Sequence, residues 1–314
     1  MRVFSTFRKT SLRPVVGIGN FDGFHLGHRR ILESVIQAAG SRGTPAVITF
    51  RDHTRLGDSG EENRLLTTSR QRLDHFRRLG LAACWMIDFR RSLASLPPGE
   101  FIERILVGKL GIRGICVGEG FRFGAGRSGT VELLRRRSQA GGFRVREIPS
   151  VRVGGREVRS SLIRREVEAG RLEEAALLLG HHYCLTGRVA RGWGKGSKLG
   201  YPTANFFPEQ LLPAPGVYAA RVAAGSNPRC GLLYIGSRPT YSSPAPRSVI
   251  AEAHIFDWSG RLGGRRIKVY LIKRLRGDIR FENERLLVAR MKEDERQARS
   301  LLGRPGRKRA RVVG

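Results

Sequence analysis

The sequence lacks long apolar runs and has few cysteines. No run of about 18 apolar residues occurs, which excludes a membrane-spanning helix and leads us to expect no membrane partner, and residues 1–5 lack the apolar stretch of a secretory signal. The four cysteines form no Cys-x-x-Cys pair. Cys84 and Cys116 lie in apolar, strand-like runs, so we expect buried thiols in a reducing cytoplasm.

Acidic residues are also scarce, with 27 Asp and Glu against 58 Lys and Arg and a net charge of +31. Such an excess of positive charge is typical of proteins that bind nucleic acid, so this partner has to be considered. The arginines are spread through every segment, however, which favours a general attraction to anionic substrates over a dedicated groove. We therefore expect no nucleic-acid partner for the body of the protein. The exception is residues 303–314, with five basic and no acidic residues, which we predict to be a basic disordered tail.

The chain length of 314 residues and the hydrophobic content of 40% predict two domains. Strand-like runs at 14–18, 46–50, 84–89, 114–118 and 143–148 alternate with helix-like runs at 31–39, 68–79, 99–110 and 130–140. This alternation is typical of a parallel, doubly wound α/β sheet, which binds ligands beyond the carboxyl ends of its strands.

The second half of the chain has a different pattern. Two short helix-like runs, 160–169 and 172–179, end at Gly180, and short alternating strands separated by Gly and Pro turns follow from Tyr183. That pattern predicts an antiparallel β-barrel, with a charged C-terminal helix over 283–302. We place the domain boundary near Gly180 and His181, giving domains 1–180 and 181–302 and the tail 303–314.

Residues 19–28 read Gly-Asn-Phe-Asp-Gly-Phe-His-Leu-Gly-His and join the first strand to the first helix. Unpaired N–H groups at a helix start form an anion site, and glycine lets a phosphate approach the backbone. His25 and His28 add donors that can become positive near a polyphosphate. The chemistry that fits is binding a nucleoside triphosphate and stabilising a departing pyrophosphate. The candidate phosphate-binding residues here are Gly19, Phe21, Asp22, Gly23 and Gly27.

Two further motifs lie in the first half of the chain. In the glycine-rich segment 118–129, aromatic rings can stack on a flat ligand and guanidinium groups can bind a phosphate; its candidate ligand-binding residues are Phe121, Arg122, Phe123 and Arg127. At the start of the 160–169 run, the hydroxyls of Ser160 and Ser161 serve either as helix caps or as phosphate ligands, and Arg164 lies one turn further.

The second half contains a glycine-rich basic loop before a Pro-Thr-Ala-Asn sequence. Such a loop can fold over phosphates, and its candidate residues are Gly192, Lys195, Gly196 and Lys198. Thr203 and Asn205, two apart, offer neutral oxygens on one face of an extended strand and suit Mg²⁺ carrying ATP oxygens. A weaker alternative is a zinc site seeded by His181, His182 and Cys184.

These motifs together resemble the prokaryotic bifunctional riboflavin kinase/FMN adenylyltransferase (FAD synthetase) family over about residues 12 to 302. The 19–28 segment resembles the H-x-G-H signature of nucleotidyltransferases in its longer G-x-F-D-G-x-H-x-G-H form. The string from Gly187 to Asn205 resembles the riboflavin kinase signature, and 212–218, 235–241 and 251–257 match later family motifs in order.

The resemblance implies a Rossmann-like α/β nucleotidyltransferase domain followed by an antiparallel β-barrel riboflavin kinase domain with a C-terminal helix. It implies that ATP phosphorylates riboflavin to FMN with Mg²⁺ and then adenylylates FMN to FAD. Glu252 corresponds to the family's proposed catalytic base, and His25, His28 and Arg164 would stabilise charge in the adenylyl transfer. The motifs do not fix an oligomeric state.

The sequence departs from the family most clearly at residues 49–54. His53 of the family's T-F-x-P-H-P element is present as a candidate flavin-binding residue, but Asp52 and Thr54 replace its prolines. Gly120 replaces an Asp or Asn, and Arg159 a Ser. Two alternatives therefore stay open: a riboflavin kinase with a drifted adenylyltransferase domain, and a basic nucleic-acid-binding protein that retains an old fold.

Overall fold

A computed structural model describes residues 1–41, 43–51, 65–89, 91–190, 200–225, 227–237 and 249–303. The chain forms two compact units, Met1–Ser160 and Ser161–Gly314. This division after Ser160 does not test the predicted domain boundary near Gly180, which stays a prediction. None of the described helices is long and apolar enough to cross a membrane.

The first unit is built on a six-stranded parallel sheet in the order β1-β4-β3-β2-β5-β6. The five predicted strands are present, and the structure adds β1, which pairs with β4. The strands are β1 (Arg2–Phe4), β2 (Pro14–Ile18), β3 (Thr44–Phe50), β4 (Ala83–Ile87), β5 (Gly114–Gly118) and β6 (Arg144–Ile148). A short antiparallel hairpin, β7 (Arg152–Val153) and β8 (Arg156–Glu157), follows.

Helices cover both faces of this sheet, as the alternating pattern predicts. They are α1 (Leu26–Ala39), α2 (Ser69–Leu79), α3 (Arg91–Ala94), α4 (Pro98–Glu100) continuing into a π-helical stretch (Phe101–Lys109), and α5 (Val131–Gly141). One apolar layer contains Val16, Ile115 and Leu106. The other contains Leu32 from α1 and Phe76 from α2. Successive side chains of a strand point to opposite faces and so enter the two layers in turn. The polar motifs lie beyond the strand ends, outside these layers.

The second unit begins at Ser161, the second residue of α6 (Ser160–Glu168), and continues with α7 (Leu172–Leu179), which contacts β9 and β14. Six antiparallel strands follow in the order β10-β13-β12-β11-β14-β9. They are β9 (Tyr183–Arg188), β10 (Thr203–Phe206), β11 (Gly216–Ala223), β12 (Arg229–Ser237), β13 (Val249–Ile255) and β14 (Arg266–Gly277). An isolated bridge between Val189 and Phe206 joins the two end strands, so the sheet curls into the predicted barrel.

The predicted C-terminal helix is α8 (Glu284–Leu302), and the side chain of Asn283 caps it by accepting from the Leu286 amide at 3.0 Å. Its buried Ala298 and Leu302 pack with Val217, Leu232 and Phe256 of the barrel unit. The buried Asp294 is held by Arg276 at 2.9 Å. These contacts fix the helix on the sheet.

Candidate active sites

His25 and His28 lie where β2 gives way to α1. His25 is the N-cap of α1, and its Nδ1 accepts a hydrogen bond from the His28 amide at 3.3 Å. A nitrogen that accepts carries no proton, so a neutral His25 ring holds its proton on Nε2. The two rings stack with centroids 3.5 Å apart. The motif therefore presents two imidazoles at a helix N-terminus, where the helix dipole favours an anion.

Glycine and aromatic residues fix the shape of this turn. A Cβ on Gly27 would lie 3.2 Å from the His25 ring, which explains the glycine between the two histidines. Phe21 is buried in a left-handed conformation and contacts the His28 ring edge-on at 5.2 Å. Phe24, also left-handed, stacks on His75 of α2 at 4.5 Å. The His28 ring therefore packs on the buried Phe21, and Phe24 joins the turn to α2.

Asp22 ties the motif turn to the residues that lead into α2. Its carboxylate is 1% exposed and accepts from the amides of Leu66 and Thr67 and from the Thr67 hydroxyl. The Thr67 hydroxyl oxygen also accepts from the Gly23 amide at 2.9 Å. These bonds give Asp22 a positioning role, and its predicted contact with phosphate stays a prediction. The Ser160 hydroxyl donates to the Asp22 carbonyl at 3.0 Å, which places Ser160 against the same turn.

Arg72 of α2 is a residue that sequence reasoning missed. It is 1% exposed, and its guanidinium donates to the carbonyls of Asn20, Phe50 and Arg51 at 2.7–2.8 Å. It therefore joins the carboxyl ends of β2 and β3, next to the turn that carries the histidine motif. An arginine in an amphipathic helix gives no signal of such a role, because the pattern predicts a solvated side chain.

The Phe-Arg-Phe loop follows β5. Phe123 is buried and lies 5.8 Å from Phe101, whereas Phe121 is half-buried and stacks on Phe123 at 5.7 Å. Reciprocal backbone bonds between Phe123 and Gly129 close the loop. Arg122 and Arg127 are exposed. The loop therefore presents a half-buried Phe121 and two exposed arginine side chains, and Phe121 rests on Phe123, which packs into the core.

The remaining predicted residues of the adenylyltransferase motifs lie in α6 of the second unit. Ser161 is exposed, and Arg164 is half-buried one turn further along the helix. Arg159, before α6, pairs with Glu157 at 2.6 Å, and this hydrogen bond lowers the pKa of Glu157. The predicted residue His53 lies outside the described residues, and so do Gly192, Lys195, Gly196 and Lys198.

The second candidate site is on β10 and β13 of the barrel. Asn205 pairs directly with Glu252, and Thr203 with His254. Paired and alternate residues share one face of a sheet, so these four side chains lie on the same face. The Thr203 hydroxyl donates to the Glu252 carboxylate at 3.2 Å. The structure therefore brings together all three predicted residues of this site, Thr203, Asn205 and Glu252.

The Asn205 side chain adds a signal for a ligand. Its Oδ1 atom is buried and has no hydrogen-bond partner among the described residues, although buried acceptors are almost always paired. The opposite face of these strands carries the buried Ala204, Phe206 and Ala253. The polar face is therefore a site supported by a packed core.

Sequence reasoning missed two neighbours of Glu252. His254 bonds the Pro202 carbonyl through Nδ1 at 2.8 Å, and its ring contacts that of Tyr201 at a tilt, with centroids 5.1 Å apart. These contacts hold the chain before Thr203. Tyr234 pairs with Glu252 across β12 and β13 and donates to Asp278 at 3.1 Å. Burial, together with the charge of Asp278, raises the pKa of Tyr234 to about 12. A tyrosine in an apolar strand is typical of a core residue, so the sequence does not predict the hydrogen bond from Tyr234 to Asp278.

The cysteines are free, and Cys84 and Cys116 are buried in the sheet as predicted. Burial raises the pKa of the Cys84 thiol to about 12 and that of Cys116 to about 11. Within the part of the chain that the structure describes, no cluster of three or more His, Cys, Asp or Glu could hold a metal ion.

Comparisons with known proteins agree with this arrangement. The model of the FAD synthetase family matches residues 8–162, and that of riboflavin kinase matches residues 179–302. The bifunctional riboflavin kinase/FMN adenylyltransferase of Escherichia coli K12 is 33% identical over 92% of this chain and 93% of its own. The Bacillus subtilis protein of that name is 29% identical, covering 93% of each chain.

One solved structure shares the fold over nearly the whole chain. It is titled a macrolide-efflux protein from Streptococcus pneumoniae, and it matches with a TM-score of 0.85 at 24% identity, covering 95% of this chain and 99% of its own. At that identity the likeness shows the fold alone. The family models and the curated relatives establish the rest: the chain belongs to the bifunctional riboflavin kinase/FMN adenylyltransferase family.

Proposed function

We propose that this protein makes FAD from riboflavin in two ATP-dependent steps, one in each domain. The barrel domain phosphorylates riboflavin to FMN, and the α/β domain adenylylates FMN and releases pyrophosphate. The observation that carries the proposal is the presence of both sites in one chain: the stacked histidines at the start of α1 and the Thr203, Asn205 and Glu252 cluster on the barrel. We assign the domains as 1–180 and 181–302, in a protein of the reducing cytoplasm, where four free cysteines persist.

In the kinase step, the ribityl 5′-hydroxyl of riboflavin attacks the γ-phosphorus of ATP, the bond from that phosphorus to the β,γ-bridging oxygen breaks, and ADP leaves. Glu252 accepts the hydroxyl proton, and the Thr203 hydroxyl, 3.2 Å from its carboxylate, holds that carboxylate in place. Phosphoryl transfer depends mainly on positioning and charge neutralisation. The loop containing Lys195 and Lys198 would cover the phosphates.

The donor set of this site fits Mg²⁺. Thr203 and Asn205 offer neutral oxygens next to the Glu252 carboxylate, and hard oxygen ligands are those that Mg²⁺ prefers. The buried, unpartnered Oδ1 of Asn205 is the specific observation in favour. When bound, the ion would neutralise charge on the ATP phosphates.

In the adenylylation step, the phosphate of FMN attacks the α-phosphorus of ATP, and pyrophosphate leaves. His25 and His28 stabilise the developing charge at the α1 N-terminus, with Ser160 of the same unit as a further donor. Ser161 and Arg164 of the second unit are proposed phosphate ligands on the resemblance to the family. Phe121 would stack on an aromatic ring of a substrate, and Arg122 and Arg127 would meet its phosphates. No covalent intermediate is needed.

Product separation after incubation with riboflavin, ATP and Mg²⁺ tests the proposal. Both FMN and FAD are expected. FMN without FAD would mean a kinase with a drifted adenylyltransferase domain, the alternative motivated by the altered residues 51–54.

Two variants separate the sites. His28→Ala is expected to abolish FAD formation and to spare FMN formation, with His182→Gln, an exposed histidine, as the control. Glu252→Gln is expected to abolish FMN formation and to spare FAD formation when FMN is supplied, with the exposed Glu282→Gln as the control. Loss of both products in either variant would contradict separate sites.

A further inference from the structure

The fold gathers basic residues that the sequence scatters. In a parallel sheet, the residues that precede each strand meet at the amino edge, opposite the edge that carries His25 and His28. Arg13 immediately precedes β2, Arg113 immediately precedes β5, and Arg144 begins β6. These three strands are neighbours in the sheet.

Backbone hydrogen bonds fix this row. The Arg113 amide donates to the Pro14 carbonyl at 2.8 Å, and the Arg144 amide donates to the Arg113 carbonyl at 3.0 Å. Adjacent strands lie about 4.8 Å apart, so the three arginine backbones follow one another at about that spacing. The Thr10 amide donates to the Lys109 carbonyl at 3.2 Å. This bond brings Lys109 and Lys9, the residue before Thr10, close together in the backbone, and we include both in the set. We call the set Lys9, Arg13, Lys109, Arg113 and Arg144 the amino-edge strip.

The amino-edge strip is not neutralised by ion pairs among the described residues. All five side chains are exposed, and none forms an ion pair with another residue that the structure describes. Residues 5–13, 110–113 and 142–146 contain no Asp or Glu. Lys109 ends the π-helical stretch and complements its dipole, but the three arginines lie at the amino ends of strands and have no such role.

We propose that the amino-edge strip binds the phosphate backbone of a nucleic acid, a function separate from FAD synthesis. Arginine forks match phosphate oxygens, and closely spaced fixed cations suit a chain of regularly spaced anions. The segments that carry the strip, 5–13, 109–113 and 142–146, have no exposed large apolar side chain, which a protein partner would need for an interface core. These segments also expose no aromatic ring that could stack on a base and no helix or strand that could enter a groove, so binding is expected to be independent of base sequence.

The position of the strip keeps it clear of the adenylyltransferase site. β2 has five residues and separates the two edges, a distance of about 16 Å at the usual rise of a strand. Nucleic acid on the strip would therefore leave the histidine turn open to ATP. Binding and FAD synthesis are expected to be compatible.

The test is fluorescence anisotropy of the full-length protein with a labelled 20-nucleotide RNA and a DNA of the same sequence, over a salt series. The triple variant Arg13→Gln, Arg113→Gln, Arg144→Gln is compared with Arg261→Gln, Arg280→Gln, Arg285→Gln, which removes the same charge from exposed positions of the other unit. Both variants keep the basic residues of 303–314. The strip variant is expected to bind at least about tenfold more weakly than the control, with a salt slope shallower by about two.

Equal binding by the two triple variants would overturn the proposal, and so would a failure of the unaltered protein to bind at physiological salt. Competition by poly-glutamate as effective as that by nucleic acid would also overturn it, because an acidic protein would then fit the strip equally well. The RNA and DNA arms show which nucleic acid is preferred. Thermal unfolding and FMN and FAD formation, all expected to be unchanged in the strip variant, show that any loss of binding is not a loss of fold.

Discussion

Thr67 donates two hydrogen bonds to one oxygen of the Asp22 carboxylate, from its amide at 2.9 Å and from its hydroxyl at 3.0 Å. The same hydroxyl oxygen accepts from the Gly23 amide. One buried threonine thus holds both the carboxylate and the backbone of the turn that leads to His25. The geometry of the histidine turn therefore depends on a residue that lies 45 positions beyond Asp22 in the chain.

Thr67→Val keeps the shape of the side chain and removes its hydroxyl. The Gly23 amide then loses its acceptor and Asp22 loses a donor, which we expect to cost about 1–3 kcal/mol of the free energy of unfolding. Urea unfolding measures this loss, and Thr6→Val, at an exposed threonine, is the control. FAD formation is expected to fall while FMN formation stays the same. An unchanged FAD rate would show that the turn does not need this anchor.

Gly27→Ala tests the packing of the His25 ring. The new Cβ would lie 3.2 Å from the ring, which is too close for the ring to keep its position. We expect FAD formation to fall by about tenfold or more, since misplaced catalytic groups are costly. Gly99→Ala is the matched control, because nothing lies within 4 Å of a Cβ there. Steady-state rates of FAD formation from supplied FMN distinguish the two variants. Equal rates would contradict the role of Gly27.

Arg72→Lys tests the clamp between β2 and β3. Lysine keeps the charge but cannot span the carbonyls of Asn20, Phe50 and Arg51 with its single ammonium group. The expected loss is about 2–4 kcal/mol in urea unfolding, because buried carbonyls lose their donors. Arg70→Lys, at an exposed position of the same helix, should change little. Similar unfolding curves for both variants would show that the Arg72 hydrogen bonds between β2 and β3 do not stabilise the fold.

The sequence pattern predicted the elements better than the contacts between them. Apolar runs located β2 and β5 at their observed bounds, because buried strands of a parallel sheet are continuous apolar runs. It missed β1, whose three residues are too short for a periodic signal and are strand only because β4 offers a free edge.

The same distinction holds at the sites. Alternation along a strand places Thr203 and Asn205 on one face, whereas Glu252 is identified only through the resemblance to the family. The positioning residues Thr67 and Arg72 were not found, since their roles depend on contacts 44 and 52 residues away in the chain. The place of Asp22 in the motif predicts a contact with phosphate, which stays a prediction, and it gives no sign of the bonds that its oxygens accept from Leu66 and Thr67.

Asn205→Leu separates a role in binding from a role in stability. The Oδ1 atom that it removes is buried and unpartnered, so the free energy of unfolding should stay the same or rise. FMN formation should fall, and the Mg²⁺ concentration that gives half the maximal rate should rise by about tenfold, since a hard oxygen ligand is lost. The exposed Asn227→Leu is the control. Lower stability with an unchanged Mg²⁺ requirement would contradict the proposed metal ligand.

The buried thiols predict a loss of stability in alkali. Burial holds the pKa of Cys84 at about 12 and that of Cys116 at about 11 in the folded protein, against about 9 for an exposed thiol. Above pH 9 the unfolded chain therefore releases protons that the folded chain keeps, so these thiols lower the free energy of unfolding as the pH rises from 9 towards 12. Urea unfolding between pH 8 and 11 measures the slope. Cys84→Ala should flatten it, whereas Cys184→Ala, at a partly exposed thiol, should leave it unchanged. A slope that is the same in all three proteins would show that ionisation of Cys84 contributes nothing to alkaline unfolding.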